Sequence, residues 1–383
     1  MTSARFTAWM IAALVALGAR PTLGEEVAPR PIHNVLLVTT DGLRWQEVFQ
    51  GAEEALMNHE DGHVEDLDGL RKQFWRDTPE ARREALMPFL WSIVEQEGQV
   101  FGNRDRESPA RAANGLNFSY PGYNELLTGF VDPDIISNEK RPNPNVSVLE
   151  WLNRKPCFRG KVSAVGSWDV HPFILNVERS GLAVNSGWMP VGGPSPSKGE
   201  SILNDLMQRS IHDWKDCRND VFTFRVALES IRHRRPKVLY VGLGDTDEYA
   251  HAGRYDLYLR AAHEADAAIK TLWDELQSHS SYRGSTALII TTDHGRGETV
   301  QSWRNHGAKV AGSEATWLAV LAPGTPAMGE RASTCLVTQG QVAATLAALL
   351  GEDSRAEVPK AAEAIADVLP VGTGRPDPPK AGP

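Results

Sequence analysis

The 383-residue sequence is poor in cysteine, with three, and carries no excess of basic residues. Three cysteines cannot build a multi-disulfide scaffold, so the core has to come from buried apolar surface, which a chain of this length can supply. Lys and Arg number 40 against 49 Asp and Glu, giving a formal charge of −9. That balance excludes a nucleic-acid binder relying on a broad basic face, and no such surface is evident. No internal repeat is present, which removes solenoids and propellers. Hydrophobic residues at 41% and charged residues at 23% also exclude disorder, collagen and coiled coil as descriptions of the whole chain.

What is present begins with an N-terminal address. Arg5 precedes an unbroken apolar run, Ala8 to Ala19, and Thr22 and Gly24 sit at the −3 and −1 positions of a cut before Glu25. This reads as a secretory signal peptide over residues 1–24, hence export to a periplasmic or extracellular space. The run is too short to span a bilayer, and no later segment reaches membrane length. Removing it deletes Arg5 and Arg20 and no acid, so the formal charge moves from −9 to −11. Cys157 and Cys217 are available to pair in such a compartment, leaving Cys335 over; the sequence does not decide whether they do.

Residues 25–370 alternate between short apolar runs and amphipathic stretches. Val35–Thr40, Val162–Gly166, Val238–Leu243, Ala287–Thr292 and Thr316–Leu321 read as buried parallel strands, because near-continuous apolarity suits strands covered on both faces. Glu80–Glu97, Tyr258–Leu276 and Gln341–Leu350 have helical spacing. The expected fold is therefore α/β, a three-layer α/β/α arrangement on a mostly parallel central sheet. Gly51–Gln73 and Val177–Asp216 break the rhythm. The second, rich in Gly, Pro and Ser, reads as an inserted loop or cap over the sheet edge and the active-site rim. The tail 371–383 reads as disordered.

Acids and histidines fall at strand ends. Asp41 follows VLLVTT; Asp245 and Asp247 follow VLYVGLG, with His251 four residues beyond Asp247; Asp293 and His294 follow ALIITT. Ligands of open parallel sheets bind outside the carboxyl ends of strands, so three strands deliver carboxylates to one rim. One such Asp is ordinarily a helix cap or turn former, but three together repel unless something positive sits among them. A divalent metal centre meets that requirement, and mixed Asp/His ligation suits zinc or manganese better than magnesium or calcium.

The ordered segments VLLVTTDGLRWQEVF, MPFLWSIVEQEGQVF, FSYPGYNELLTG, GDTDEYAH, TTDHGRG and NHG resemble the alkaline phosphatase superfamily. The likeness is greatest to its phosphodiesterase/nucleotide pyrophosphatase, sulfatase-like and cofactor-independent phosphoglycerate mutase branches. The resemblance implies an alkaline-phosphatase-like fold and two divalent metal ions. Asp41, Asp293 and His294 match the ligands of one, Asp247, His251 and His306 those of the other. Ser119 matches the nucleophile, itself a metal ligand, with Tyr120 and Thr128 as lesser alternatives. The implied reaction is hydrolysis of a small phosphorylated substrate, a mono- or diester, through a phosphoseryl intermediate.

The motifs also depart from those branches. Nucleotide pyrophosphatases commonly carry Asn three residues after the nucleophile; here that position is Gly122, with Asn124 two further on as a candidate substitute. The sulfatase signature Cys/Ser-x-Pro-x-Arg lacks its Arg, since Tyr123 stands there. Trp168, after VSAVG, resembles an aromatic position of the diesterase branch, and Arg296 and Arg304 are candidate contacts for a phosphoryl oxygen. His171 and His263 read as structural. Three alternatives stay open: a phosphoglycerate-mutase-like phosphotransferase, a non-catalytic metal- or ligand-binding protein, and a metal-free serine hydrolase. The last lacks the G-x-S-x-G elbow.

Overall fold

The computed structural model describes residues 31–370; the signal peptide and tail expected from the sequence lie outside them. Ten strands are present among the described residues: β1 (Asn34–Thr40), β2 (Gln99–Phe101), β3 (Ala110–Arg111), β4 (Val162–Gly166), β5 (Ala183–Ser186), β6 (Val238–Leu243), β7 (Thr286–Thr291), β8 (Leu318–Leu321), β9 (Gly329–Glu330) and β10 (Val337–Thr338). Eight of them form one sheet in the order β5-β4-β6-β1-β7-β8-β2-β9, and β10 pairs with β3 apart from it.

The apolar strands are buried on both faces, as their composition requires. Alternate residues serve separate cores. Leu36, Val38, Leu239, Val241, Leu288 and Ile290 face one cluster, which includes residues of the Asp220–His233 and Tyr255–Ser278 helices. Val35, Leu37, Val238, Tyr240, Ala287 and Ile289 face the other, under the helices Ser119–Thr128, Val148–Arg154 and Gln341–Leu349. The result is the expected three-layer α/β/α arrangement on a mostly parallel sheet.

Three details differ from the sequence expectation. β8 runs antiparallel to both β7 and β2, so the fifth apolar run is a strand of the opposite direction; apolarity reports burial and carries no sign of direction. The Glu80–Glu97 stretch is not one helix. An α-helix occupies Pro79–Leu86, and Leu90–Val94 forms a π-helical turn. Pro88 lies between them and cannot donate the backbone hydrogen bond that would join them. Residues 177–216 contain β5, which extends the sheet as its edge strand in parallel register with β4, and the helix Lys198–Arg209, whose N-terminus is closed by a Ser197/Glu200 capping box.

The central registers bring strand ends level. Thr40 of β1 lies opposite Leu243 of β6, and Thr39 opposite Thr291 of β7. Just past them the Asp41 backbone N–H donates to Leu243 O at 2.9 Å, so the three acid-bearing ends open onto one rim.

Candidate metal centre

Asp41, Asp293 and His294 converge beneath that rim and are all buried. His294 Nε2 lies 3.3 Å from Asp41 Oδ1 and 3.5 Å from Asp293 Oδ2. These three atoms are buried and have no hydrogen-bond partner. The other atom of each group is engaged. Asp41 Oδ2 accepts from the Tyr123 hydroxyl at 3.0 Å, Asp293 Oδ1 from the Gly42 N–H at 3.1 Å, and His294 Nδ1 is 2.9 Å from Gly295 O. A protonated Nδ1 donating to that carbonyl leaves the Nε2 lone pair pointing at the two carboxylates. Buried polar atoms are nearly always satisfied, so three unsatisfied atoms aimed at one point fit a cation among them.

Electrostatics lead to the same reading. Burial raises the Asp293 pKa well above the ordinary carboxylate value, and the Asp41 charge adds to it. Burial acts on His294 in the opposite sense, but Asp293 and Asp41 outweigh it and push this imidazole up to about 9. The site thus draws a positive charge; a proton on His294 serves in the absence of a cation, and a bound divalent ion would take its place.

A second cluster adjoins the first. Asp247 Oδ1 lies 3.9 Å from His294 Nε2 and 3.8 Å from His306 Nε2. His251 Nε2 is 3.1 Å from Asp247 Oδ2 and 3.0 Å from His306 Nε2. The helix Asp245–His251 places Asp247 and His251 on one face through their i, i+4 spacing. His306 is held by Nδ1 against Asn117 O at 3.1 Å and stacks on His294 with centroids 4.1 Å apart. Two ligand groups within metal-binding reach result: Asp41, Asp293 and His294, and Asp247, His294 and His306. The residues present fit divalent-cation binding, with His294 between the two centres and His251 on the exposed side.

Ser119 is the first residue of the Ser119–Thr128 helix. Together with Asp41, Asp247, His251 and His306 it lines a cleft of about 270 Å³. Asn138 accepts from the Tyr120 N–H at 3.0 Å and fixes the start of this helix. Gly122, one turn on, packs against Asp293: a Cβ there would lie 2.5 Å from the Asp293 carbonyl oxygen.

The remaining candidates separate. Trp168 lines the cleft. Asn124 does not: its Oδ1 accepts from Asn143 and Asn145, each at 3.1 Å, and its Nδ2 donates to Phe130 O at 3.3 Å. Arg296 is buried, and its guanidinium contacts Asp247 Oδ1 while donating to Gly42 O at 3.1 Å and Arg304 O at 2.7 Å. It braces the Asp247 carboxylate and the Asp41–Gly42 turn. The exposed Arg304 contributes its backbone carbonyl to that brace. His171 is structural, with Nδ1 2.9 Å from Trp168 O and Nε2 3.1 Å from the Tyr240 hydroxyl. His263 likewise bonds Leu86 O at 2.8 Å through Nδ1. Cys157, Cys217 and Cys335 are free thiols, and Cys217 lies in the cleft wall.

Sequence reasoning missed four residues. Tyr123 orients Asp41 through its hydroxyl. Asn138 and Lys140 enter the cleft from a loop with no periodicity to place it, Lys140 paired with Asp169 at 2.6 Å. Glu248, next to Asp247, also lines the cleft; burial, then Asp216 and Asp41, push its pKa up to about 7. The D-x-x-A-H spacing could have signalled only the last.

Residues 210–311 match a family model described as the Metalloenzyme superfamily, a segment holding Asp247, His251, Asp293, His294 and His306. No curated protein matches the sequence. Among solved structures, the chain is similar to the phosphonate monoester hydrolase of Agrobacterium radiobacter, with 15% identity, TM-score 0.51, and 90% of this chain and 79% of that one covered. It is also similar to a protein of Bacteroides thetaiotaomicron described only provisionally as a sulfatase, with 12% identity, TM-score 0.57, and 88% and 74% covered. A third, a 2-O GAG sulfatase, gives 13% identity, TM-score 0.52, and 89% and 74% covered. At such identities the likeness is one of fold.

Proposed function

We infer that this chain, a member of the alkaline phosphatase superfamily, is a two-metal phosphate-ester hydrolase in which Ser119 is the nucleophile. The observation that carries the reading is the set of three unsatisfied buried atoms, Asp41 Oδ1, Asp293 Oδ2 and His294 Nε2, beside the Asp247–His251–His306 cluster and Ser119 on one cleft. Zinc or manganese ions held there would neutralise phosphoryl oxygens and lower the pKa of a hydroxyl or water.

The chain's own residues account for the rest. The helix start fixed by Asn138 holds Ser119 at the cleft floor for in-line attack, where its oxygen bonds to phosphorus as the ester oxygen departs with a proton. Water then cleaves the phosphoseryl ester and restores the hydroxyl. Lys140 offers an ammonium to an anionic substrate on exchange for its partner Asp169, and Trp168 supplies an apolar wall for its organic part. This wall, with no Arg in the S-x-P-x-x stretch, favours phosphodiesters over sulfate esters. Export, through residues 1–24, is part of the same proposal; no helix among the described residues is long and apolar enough to cross a membrane.

The test is turnover of bis-p-nitrophenyl phosphate, p-nitrophenyl phosphate and p-nitrophenyl sulfate by the protein loaded with zinc and, separately, manganese. Phosphodiester turnover should dominate and sulfate turnover be absent. Metal binding without turnover of any ester would make this a binding protein instead.

A further inference from the structure

Behind the metal centre lies a separate cavity of about 480 Å³, inside the range of small-molecule pockets, roughly 300–1,000 Å³. It runs between the Asp220–His233 and Tyr255–Ser278 helices and ends at the start of the Asp245–His251 helix. Its long wall is a stripe of small residues, Ala261, Ala265 and Ala268, whose missing side-chain volume creates the space; Val221, Phe224, Leu243 and Leu257 add to the apolar lining.

The closed end is acidic. Asp220 is saturated there: Oδ1 accepts from the Ser167 hydroxyl at 2.5 Å and the Gly244 N–H at 2.7 Å, and Oδ2 from the Asp245 N–H at 3.0 Å. Asp245 is not. It lines the cavity, and its Oδ1 is buried with no hydrogen-bond partner. The charged groups that act on it most strongly, Asp220, Glu248 and Asp213, are acids, and Glu264 adds another to the cavity lining. The two arginines of the cavity, Arg225 and Arg260, are exposed at its mouth, and the Arg225 guanidinium lies over the Phe224 ring at 5.0 Å. A buried carboxylate oxygen without a donor costs free energy that an N–H donor would recover, more so a cationic one. The Tyr249 ring, also in the lining, adds an aromatic face of the kind that attracts ammonium groups.

We propose that this cavity binds a small alkylammonium ligand, its ammonium on Asp245 and its hydrocarbon chain along the Ala261–Ala265–Ala268 stripe. Nothing in the ester-hydrolysis chemistry uses this space. A bare metal ion is a poor match, because most of the wall beside Asp245 is hydrocarbon and two arginines stand at the mouth; a carboxylate-bearing amphiphile that reached the inner end would bring like charge to Asp245.

Isothermal titration of the metal-loaded full-length chain with octylammonium chloride, sodium octanoate and octanol at fixed ionic strength tests the proposal. Octylammonium should saturate one site at least tenfold more tightly than octanoate or octanol. Asp245→Asn should bring octylammonium to the octanol level. Ala265→Leu should weaken binding at least tenfold by filling the wall. Ala265 is fully buried, so Ala268→Leu, on a half-buried position, provides the same test if the first variant does not fold. Absence of saturable octylammonium binding, equal affinity for octanoate, or undiminished affinity in a folded Ala268→Leu protein would each overturn it.

Discussion

Gly122 and Asp293 are packed so closely that no side chain fits between them: a Cβ on Gly122 would sit 2.5 Å from the Asp293 carbonyl oxygen. This gives a physical reason for glycine where the nucleotide pyrophosphatase branch commonly carries asparagine. The helix bearing Ser119 is seated directly on the loop bearing two metal-ligand candidates. Gly122→Ala should therefore displace one from the other. Overpacking of this kind costs about 1–3 kcal/mol. The expected outcome is lower metal content by elemental analysis and loss of ester turnover in a protein whose circular dichroism is unchanged.

Ser119→Ala tests the chemistry apart from the geometry. Ser119 lines the cleft beside Asp41, Asp247 and His306, and its truncation leaves the Asp41–His294 and Asp247–His306 pairs in place. Turnover should fall by on the order of 10³ or more, the scale seen when a nucleophile is removed, while metal content stays at the wild-type level. Activity within a few-fold of wild type would mean that another group attacks.

The two ligand clusters should respond differently to substitution. Asp293 is fully buried, whereas the His251 side chain is 48% exposed. Asp293→Asn should lower metal occupancy and the melting temperature together, since the unfilled pair Asp41 and His294 stays buried. His251→Ala should lower occupancy of the outer centre with little change in melting. A chelator should abolish activity and lower the melting temperature of wild type, because a ligand that binds only the folded state stabilises it. Activity that survives chelation would favour a metal-free serine hydrolase.

Asp266 offers a pH test away from the site. Its carboxylate accepts from the Phe89 and Leu90 N–H groups at 2.7 and 2.9 Å and closes the start of the π-helical turn. Burial pushes its pKa from 3.8 up to about 6 despite those bonds. A carboxyl raised in the folded state binds its proton more tightly there than when unfolded. Its contribution is complete below pH 3.8 and is lost as pH rises to about 6, a change of about 3 kcal/mol. Urea unfolding between pH 4 and 6 should show that slope in wild type and a shallower one in Asp266→Asn.

Much of the sheet was legible because its central strands are buried on both faces. Val162–Gly166 and Val238–Leu243 match β4 and β6 residue for residue, and β1 and β7 differ by one position at their ends. β2 and β5, written QVF and AVNS, are too short and too polar to announce themselves. The acids and histidines at the strand ends were visible as a pattern, because a parallel sheet aligns its carboxyl ends. Lys140 and Asn138 were not, since only the path of a loop brings them to the cleft. Nor could residue type foretell that Asn124 would be consumed by Asn143 and Asn145, or that Arg296 would brace Asp247.

The inner cluster is assembled from opposite ends of the chain: the Gly42 N–H and Asp293 Oδ1 that bond at its edge are 251 positions apart. Such contacts carry a closure-entropy cost, because the long intervening segment has to be ordered before they contribute. Fragments ending before residue 293 would hold Ser119, Asp41 and Asp247 without the residues that complete a centre. Metal uptake would then wait on closure of the β6-β1-β7 centre of the sheet, and the time course of uptake during refolding would read out that closure without any spectroscopic label.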